Sequence, residues 1–299
     1  MKPKVGIVIV NFNHAQETLA GLDAIRQLEY QNFTAAVVDN ASEQKDREIL
    51  SGGLSQLAKG KYLFVPSARN TGFAGGCNIG IKELLKKNPK YIWILNNDTL
   101  PEKHSLTNFV KCFEKMPQNI GIIGGKLLFP NSQKIQGIGG KYIPHKAKGL
   151  HIGAGELDNG QYDNPLLAKK FDYIIGASMF VKTKFIKDTG LMCEDYFLFF
   201  EEIDWSLRGE KRGWKLGYCP DAIVYHKESA SLKDPKNPSE ITKMIYYYSM
   251  RNKLFFTKKY FARHLPIIYL RLFVQMLKEV KKGQAWRVKI LSKLLLGKI

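Results

Sequence analysis

The chain has 299 residues, of which 44% are hydrophobic and 24% charged, and its formal net charge is +19. This composition supplies enough apolar material for a sizeable core and excludes an intrinsically disordered chain. The length suits one large α/β domain or a catalytic domain with an appendage.

Regular alternation of strand and helix patterns marks the first third of the chain. Strands are predicted at 4–10, 33–39, 61–66 and 91–95, and helices at 14–28, 43–57 and 74–87. Strands separated by helices of this length predict a parallel sheet with right-handed crossovers, covered on both faces. The predicted fold class is therefore α/β.

The pattern changes after Leu106. Segments 120–129, 134–143 and 171–182 are glycine-rich and strand-like, with no full helix between them. Residues 144–170 are predicted to form an irregular, mobile loop. A helix near 201–212, short strands near 215–226 and helices after 239 complete the predicted organisation.

The four cysteines, the N-terminal sequence and the length of the apolar runs bear on where the protein is located. The cysteines are widely spaced and form no CxxC pair, which favours reduced thiols over a disulfide framework or a zinc ribbon. The N-terminal stretch MKPKVGIVIVNFN enters a strand directly, without the pattern of a signal peptide. No apolar run reaches the roughly 18 to 20 residues that cross a bilayer. We therefore expect a cytoplasmic protein.

Positive charge is concentrated at the C-terminal end, where residues 251–299 hold thirteen Lys or Arg and one acid. Such a basic amphipathic pattern is typical of a helix on an anionic membrane surface. A solvated helix that packs its apolar stripe on the rest of the protein has the same pattern. No helix-turn-helix, zinc-finger or aromatic RNA-binding pattern accompanies the charge, so nucleic acid is not expected as a partner. The apolar positions that recur near helical spacing are Leu265, Ile268, Leu272, Met276 and Val280.

Polar side chains follow three of the predicted strands, at the point where each strand ends. In an open parallel sheet, ligands bind outside the carboxyl ends of the strands. Asn and Asp also favour turns, which could explain any single cluster. Three clusters at equivalent strand ends favour a ligand site. They are Asn11 and Asn13 after the first strand, Asp39 and Asn40 after the second, and Asn96, Asn97 and Asp98 after the fourth.

Five motifs occur in order along the chain: VIVNFN, VVDNAS, RNTGFAGGCNIGI, ILNNDT, and FFEEIDWSLR followed by VYH. In this order they resemble the inverting glycosyltransferases of family 2, which have the GT-A fold. The resemblance covers about residues 4–256 and is closest to rhamnosyltransferases and galactofuranosyltransferases of bacterial surface polysaccharides. It implies a Rossmann-like GT-A catalytic domain at 1–238 with a mostly parallel sheet, divided into a nucleotide-binding half, 1–105, and an acceptor half, 106–238. Basic amphipathic helices would follow at 239–299.

The resemblance assigns contacts with a nucleotide-sugar donor. The aspartate of VVDNAS, Asp39, would accept the imide N–H of uracil or thymine, although a helix or turn cap is the alternative. The glycines of RNTGFAGGCNIG do not fit GxGxxG and would instead allow close approach of the backbone, or simply a tight helix start. For Arg251, a surface role is the alternative. The expected donor contacts are Asn11, Asn13, Asp39, Asn40, Arg69, Asn70, Gly72, Gly76, Asn78, Asn97, Arg208 and Arg251.

The ILNNDT motif takes the place of the DxD motif of the family, which implies a divalent cation, Mn²⁺ or Mg²⁺, on the diphosphate. Asp98 is the only acid of the triplet, and because Mg²⁺ is usually held by carboxylate plus phosphate oxygens, one acid can suffice. His226 matches the family's histidine ligand, and a histidine ligand favours Mn²⁺ over Mg²⁺. An isolated histidine would more often be a core or surface residue.

The stretch FLFFEEIDWSLRG (197–209) takes the place of the ED motif, whose second acid is the general base of the family. This assigns the base to Glu202, with Glu201 and Asp204 as the neighbouring candidates. Acids favoured by a helix N-terminus, with an i,i+4 pair between Asp204 and Arg208, are the alternative. The helix N-terminus is expected to keep Glu202 ionised near neutral pH. Trp205 is predicted to stack on an acceptor sugar, or else to be a core residue.

The implied reaction is a single displacement with inversion at the anomeric carbon. By resemblance the donor is first dTDP-rhamnose, then UDP-galactose or UDP-galactofuranose. The acceptor is a hydroxyl of an oligosaccharide or of a growing, lipid-linked surface polysaccharide, and the enzyme is expected on the inner face of the cell membrane as a peripheral protein. Two other classes stay open: a nucleotidyltransferase, and a non-catalytic sugar-nucleotide-binding protein.

Overall fold

The computed structural model describes residues 2–227 and 238–297. Its first part alternates strand and helix: β1 (Val5–Asn11), α1 (Ala15–Arg26), β2 (Phe33–Asp39), α2 (Gln44–Ser55), β3 (Tyr62–Pro66), α3 (Gly72–Leu85) and β4 (Tyr91–Asn96). All seven predicted elements of this part are present. The four strands are parallel and run in the order β3-β2-β1-β4.

The second part of the chain extends the same sheet with mixed strand directions. Its elements are β5 (Thr99–Pro101), α4 (Ser105–Lys115), β6 (Ile120–Leu128), β7 (Ile135–Gly137), β8 (Gly140–Ile143), β9 (Lys148–His151), β10 (Ser178–Lys182), α5 (Thr183–Thr189), α6 (Glu201–Glu210) and β11 (Lys215–His226). The order continues as β4-β10-β6-β11-β5, and β7 pairs with β6. Strand β10 is antiparallel to both β4 and β6, so the sheet is parallel over its first four strands and mixed as a whole.

Three details of the second part differ from the prediction. Only residues 178–182 of the predicted strand 171–182 are extended. The predicted segment 134–143 is two strands, β7 and β8, and β8 pairs with β9 inside the predicted loop 144–170. The predicted short strands near 215–226 are one long strand, β11, with a register shift between Tyr218 and Ile223 where it pairs with β6. The division of 134–143 into two strands falls in a segment with three glycines, and glycine weakens the interior of a strand.

The core lies on both faces of the sheet. On one face, side chains of β1 such as Ile7 pack with Leu22 of α1 and Phe109 of α4. On the other face, Val8 packs with Ile81 of α3, and the same cluster continues to Phe185. Burial of alternate residues of one strand on opposite faces is the expected result of covering a sheet on both sides.

Three helices follow the sheet: α7 (Pro238–Tyr260), α8 (Leu265–Lys281) and α9 (Ala285–Leu295). A separate small core holds them together, in which Leu254 of α7 meets Ile268 and Leu272 of α8 and Leu291 and Leu294 of α9. Within residues 2–227 and 238–297, no helix has the length and apolar character needed to span a membrane.

Candidate active site

A pocket of about 320 Å³ opens at the carboxyl ends of β1 and β4. The strand register explains its position, because Asn11 at the end of β1 lies opposite Asp39 at the end of β2, and Val10 lies opposite Asn96 of β4. The residues predicted from the sequence that line the pocket are Asn40, Asn70, Gly72, Asn96, Asn97, Glu201, Glu202 and His226.

Asn40 ties the end of β2 to the start of α3. Its Nδ2 donates to Oδ1 of Asn70 and to the carbonyl oxygen of Gly72, both at 3.0 Å. Its Oδ1 accepts from the backbone N–H of Thr71 at 3.0 Å. Gly72 has φ 72°, and a Cβ there would lie 2.2 Å from the carbonyl oxygen of Phe197, so only glycine fits. This side of the pocket therefore depends on the close approach of the backbone at Gly72 and on the hydrogen bonds of the Asn40 side-chain amide.

Asp39 and Asn11 are fully buried and connect their strands to α2. One carboxylate oxygen of Asp39 accepts from Nε of Arg47 at 2.7 Å, and the other accepts from the backbone N–H of Ser42 at 3.3 Å. Nδ2 of Asn11 donates to Ser42 Oγ at 3.0 Å and to Asp46 at 2.9 Å. These contacts agree with the turn-capping alternative for Asp39, and its contact with a nucleotide base stays a prediction.

Other predicted donor residues lie beside the pocket or away from it. Oδ1 of Asn13 accepts from the backbone N–H of Glu43 at 2.8 Å, and Arg69 is exposed directly before Asn70. Gly76 allows α3 to pack on β1, since a Cβ there would lie 2.6 Å from Val10 Cγ1. Asn78 is buried, and its Nδ2 donates to the carbonyl oxygen of Met192 and to Glu194, each at 2.9 Å, so the structure places it in a packing role.

Asp98 and His226 meet although 128 positions separate them in the sequence. Nε2 of His226 lies 3.1 Å from Oδ1 of Asp98, and both residues are buried. The pairing of β5 with β11 brings them together, because Thr99, directly after Asp98, lies opposite His226. Nδ2 of Asn96 lies 3.3 Å from the same ring nitrogen.

Gln136 is a residue that the sequence analysis missed. It lies in β7, is 5% exposed, and its Oε1 is 2.6 Å from Nδ1 of His226. A carbonyl oxygen at Nδ1 favours a proton on that nitrogen and fixes the orientation of the ring, so that Nε2 faces Asp98. The segment IQG around it carries no motif, so no sequence signal pointed to this residue.

The Asp98–His226 pair offers one carboxylate and one imidazole nitrogen, which are suitable ligands for Mn²⁺ or Mg²⁺ when phosphate oxygens and water supply the rest. In the described part of the chain, no group of three or more His, Cys, Asp or Glu is arranged to hold a metal. The donor set therefore fits a cation shared with a bound diphosphate better than a cation held in an all-protein cage.

Glu201 and Glu202 open α6 and face the pocket. Burial raises the pKa of Glu202 to about 7, and the backbone N–H groups of Glu202 and Ile203 only partly offset this. Burial and the neighbouring Glu202 raise the pKa of Glu201 well above its usual value. The helix N-terminus was expected to keep Glu202 ionised at neutral pH. The structure shows that burial outweighs it, so Glu202 titrates near neutrality.

The loop before α6 has a strained backbone. Phe197, Phe199 and Phe200 have φ of 62°, 69° and 74°, a region that bulky residues rarely adopt. Asn252 of α7, which is fully buried, donates from Nδ2 to the carbonyl oxygens of Tyr196, Leu198 and Phe199 at 2.9, 2.8 and 3.1 Å. Asn252 thus holds the loop that positions Glu202 at the pocket, whereas the sequence pointed only to its neighbour Arg251.

Asp204 is fully buried and does not reach the pocket. It accepts from Nζ of Lys259 at 2.7 Å, from the hydroxyl of Tyr260 at 2.6 Å and from Nε of Arg208 at 2.7 Å. Burial alone would raise the pKa of Asp204, but these donors outweigh burial and lower it. Asp204 therefore joins α6 to α7 through Lys259 and Tyr260, and its pair with Arg208 is the i,i+4 ion pair of the alternative, so a role as base is not supported for Asp204.

Trp205, Arg208 and Arg251 also point away from the pocket. Trp205 is fully buried, packs edge-to-face on Phe185 and donates from Nε1 to the carbonyl oxygen of Gly190 at 2.8 Å, so the core alternative describes it. Arg208 donates to the carbonyl oxygens of Thr189 and Leu191, each at 2.8 Å. Arg251 donates to the carbonyl oxygen of Asp195 and lies over the ring of Phe255.

A family model described as "Glycosyltransferase like family 2" matches residues 3–237. The matched region contains the Asp98–His226 pair, the two glutamates at the start of α6 and every residue that lines the pocket except Met244. Because it spans well over half of the sequence, the chain belongs to glycosyltransferase family 2.

Relatives and solved structures agree with this family. The low-salt glycan biosynthesis hexosyltransferase Agl10 of Haloferax volcanii is 22% identical over 273 residues, which cover 90% of this chain and 80% of that protein. The mannosyltransferase PcManGT from Pyrobaculum calidifontis, in complex with GDP-Man and Mn²⁺, has a TM-score of 0.61 at 13% identity and covers 100% of this chain and 89% of its own. GalNAc-T7 with UDP, GalNAc and Mn²⁺ has a TM-score of 0.61 at 15% identity, over 84% of this chain and 50% of its own. The fold is the GT-A fold of glycosyltransferases.

Proposed function

We propose that this glycosyltransferase is an inverting, metal-dependent hexosyltransferase that uses a nucleotide-diphosphate sugar. One observation carries the proposal: Glu202, a half-buried glutamate with a pKa of about 7, lines the same pocket as His226 of the Asp98–His226 pair. A base that titrates near the working pH combines a useful ionised fraction with enough basicity to remove a proton. The pair fits the diphosphate end of a donor.

In the proposed reaction, Glu202 accepts the proton of an acceptor hydroxyl while that oxygen attacks the anomeric carbon. The new C–O bond forms on the face opposite the diphosphate, the old C–O bond breaks, and the nucleoside diphosphate leaves with the bonding pair. A divalent cation, when bound, neutralises charge on the departing diphosphate. Asp98 and His226 would hold it, and Gln136 would keep Nε2 of His226 turned toward it.

The donor side of the pocket is assigned to Asn40, Asn70, Gly72 and Asn97, which line it, with Asp39 and Arg69 beside it as proposed contacts. The hexosyltransferase name of the Haloferax relative supports a six-carbon sugar. The sequence resemblance makes dTDP-rhamnose the first choice, with UDP-galactose and UDP-galactofuranose next. A lipid-linked glycan acceptor and a peripheral position on the inner membrane face complete the proposal.

The test is turnover with a panel of donors that includes dTDP-rhamnose, UDP-galactose, UDP-galactofuranose and GDP-mannose, each with Mn²⁺, Mg²⁺ or EDTA. Release of nucleoside diphosphate from a donor, and its loss in the Glu202→Gln variant, is the expected result. Glu210→Gln, which changes an exposed glutamate at the end of the same helix, is the matched control. Pyrophosphate release from a nucleoside triphosphate would indicate a nucleotidyltransferase instead. Tight donor binding without turnover under any condition would indicate a binding protein.

A further inference from the structure

Six large apolar side chains of α8 are exposed to solvent. They account for six of the ten exposed large hydrophobic residues found in the part of the chain that the structure describes. Such a concentration on one helix is unusual, because exposed apolar side chains on a soluble protein are normally scattered. The six residues, which we call the outward face of α8, are 37 to 55% exposed: Tyr269, Leu270, Phe273, Val274, Leu277 and Val280.

The outward face is distinct from the face that packs on the protein. Ile268 and Leu272 are 1% and 3% exposed and belong to the small core shared with α7 and α9. Leu270, Phe273 and Leu277 follow one another at intervals of three and four residues, which aligns them along the opposite side of the helix. Most of the stripe predicted from the sequence is the packed side, and the packing alternative describes it. The exposed stripe is a second one.

Positive charge predominates in the segment that carries the outward face. Residues 265–297 contain seven Lys or Arg and a single acid, Glu279. Glu279 is 1% exposed, and its Oε2 lies 3.2 Å from Nη1 of Arg287, so its charge is turned inward and compensated. Arg271, Lys278 and Lys281 are exposed on α8 itself. The surface therefore combines apolar side chains with uncompensated cations.

We propose that the outward face of α8 docks on an anionic lipid bilayer, with the helix lying in the plane of the interface. Apolar side chains enter the boundary between headgroups and acyl chains, and the flanking cations meet anionic headgroups. A second copy of this chain fits less well, because joining two such faces would bring the cations of both copies together. The inference deepens the proposed function, since it names the surface that would bring the enzyme to a lipid-linked acceptor.

The docking surface is connected to the pocket through α7. Leu254 of α7 lies in the small core beneath Ile268 and Leu272 of α8. Ten residues earlier on the same helix, which is about three helical turns, Met244 lines the pocket. Tyr248, between these two positions, stacks on Phe197 with ring centroids 4.5 Å apart. A bilayer bound to α8 would therefore lie against the same group of helices, α7 to α9, that contributes Met244 to the wall of the pocket.

The experiment is flotation of the full chain with vesicles of phosphatidylcholine alone or of equal parts phosphatidylcholine and phosphatidylglycerol. We expect flotation only with the anionic vesicles and release at high salt, because screening weakens contacts with exposed charges. Leu270→Glu with Leu277→Glu should weaken binding by about tenfold or more. The matched control, Leu157→Glu with Leu166→Glu, changes two leucines that are 52% and 64% exposed elsewhere and should bind as the wild type does.

A second pair of substitutions tests the proposal even if the leucine variant misfolds. Arg271→Gln with Lys278→Gln leaves the apolar face intact and should reduce binding to anionic vesicles while far-ultraviolet circular dichroism stays unchanged. Equal flotation of wild type and both α8 variants would overturn the proposal. A second result would also overturn it: sedimentation velocity shows that the wild type is a dimer and the leucine variant a monomer, while neither protein binds vesicles. Donor hydrolysis in solution is measured on the same samples, so failure of the proposed reaction is distinguished from failure of docking.

Discussion

Nδ2 of Asn252 lies 2.8 Å from the carbonyl oxygen of Leu198 and also donates to the carbonyl oxygens of Tyr196 and Phe199. This one side chain of α7 stabilises three left-handed phenylalanines directly before α6. Strain of this kind persists only where the surroundings over-determine it, and here the over-determined segment is the one that sets the position of Glu202.

Asn252→Ala is expected to lower the rate of transfer by roughly 10², the usual cost of misplacing a reacting group by about 1 Å. The KM for donor should change little, because the residues assigned to the donor side follow β2 and β4 or lie at the start of α3. Steady-state kinetics measure both. Asn108→Ala is the control, since Asn108 donates one exposed hydrogen bond to the carbonyl oxygen of Asp221 far from the pocket. A variant whose KM rises while its kcat is kept would contradict the positioning role.

Glu202→Gln should keep donor binding and lower transfer by roughly 10² or more, the scale of general-base loss. Binding of a nucleoside diphosphate by calorimetry and single-turnover transfer measure the two effects. Glu201→Gln should cost less, because burial and the neighbouring Glu202 raise the pKa of Glu201 well above its usual value and so favour the neutral acid, which glutamine resembles. If Glu202→Gln turned over near normally, the role of base would move to Glu201.

Activity and stability should both respond to the pKa of Glu202 near 7. The base must be ionised, so transfer should fall as the pH drops below about 7.

The folded pKa of Glu202 lies above the unfolded value of 4.5, so ionisation of Glu202 destabilises the fold as the pH rises through 7. Glu202→Gln should therefore raise Tm relative to wild type at pH above 7 and lose this advantage below the unfolded pKa. Parallel thermal melts check this, and an unchanged difference across that window would refute it.

Asp98→Ala should abolish metal-assisted donor binding, and His226→Ala should weaken it. EDTA should stop transfer, and Mn²⁺ or Mg²⁺ should restore it. Measurements of Mn²⁺ binding in the presence of a nucleoside diphosphate report the metal separately from catalysis. Full activity in EDTA would show that a cationic side chain neutralises the diphosphate instead. The exposed Arg69 beside Asn70 would then be the candidate, because Arg208 and Arg251 are engaged away from the pocket.

Gln136→Leu should weaken Mn²⁺ binding about tenfold to a hundredfold, the usual effect of losing a residue that orients a metal-ligating histidine. The nitrogen chemical shifts of the His226 ring should also change, since the substitution removes the acceptor at Nδ1. Gln133→Leu is the matched control, because Gln133 is an exposed glutamine three residues earlier. Wild-type Mn²⁺ affinity with an unchanged histidine tautomer would exclude this role.

Local patterns in the sequence were sufficient for the first part of the fold. The predicted strand 33–39 coincides with Phe33–Asp39, because a run of buried β-branched and small residues between a polar turn and Asp39 has one stable conformation. The clustering of polar strand ends also followed, since parallel strands place their carboxyl ends together. Family resemblance added the assignment of Asp98, His226 and Glu202 as candidates.

Only the tertiary structure decided the contacts that tie the site together. Gln136 reaches His226 across 90 positions and Asn252 reaches Leu198 across 54, and neither contact leaves a periodic signal in the sequence. Burial, which local sequence does not set, raises the pKa of Glu202 and turns Asp204 and Trp205 into core residues. Likewise, an apolar pattern gives α8 two candidate faces, and only packing against α7 and α9 determines which of them stays exposed.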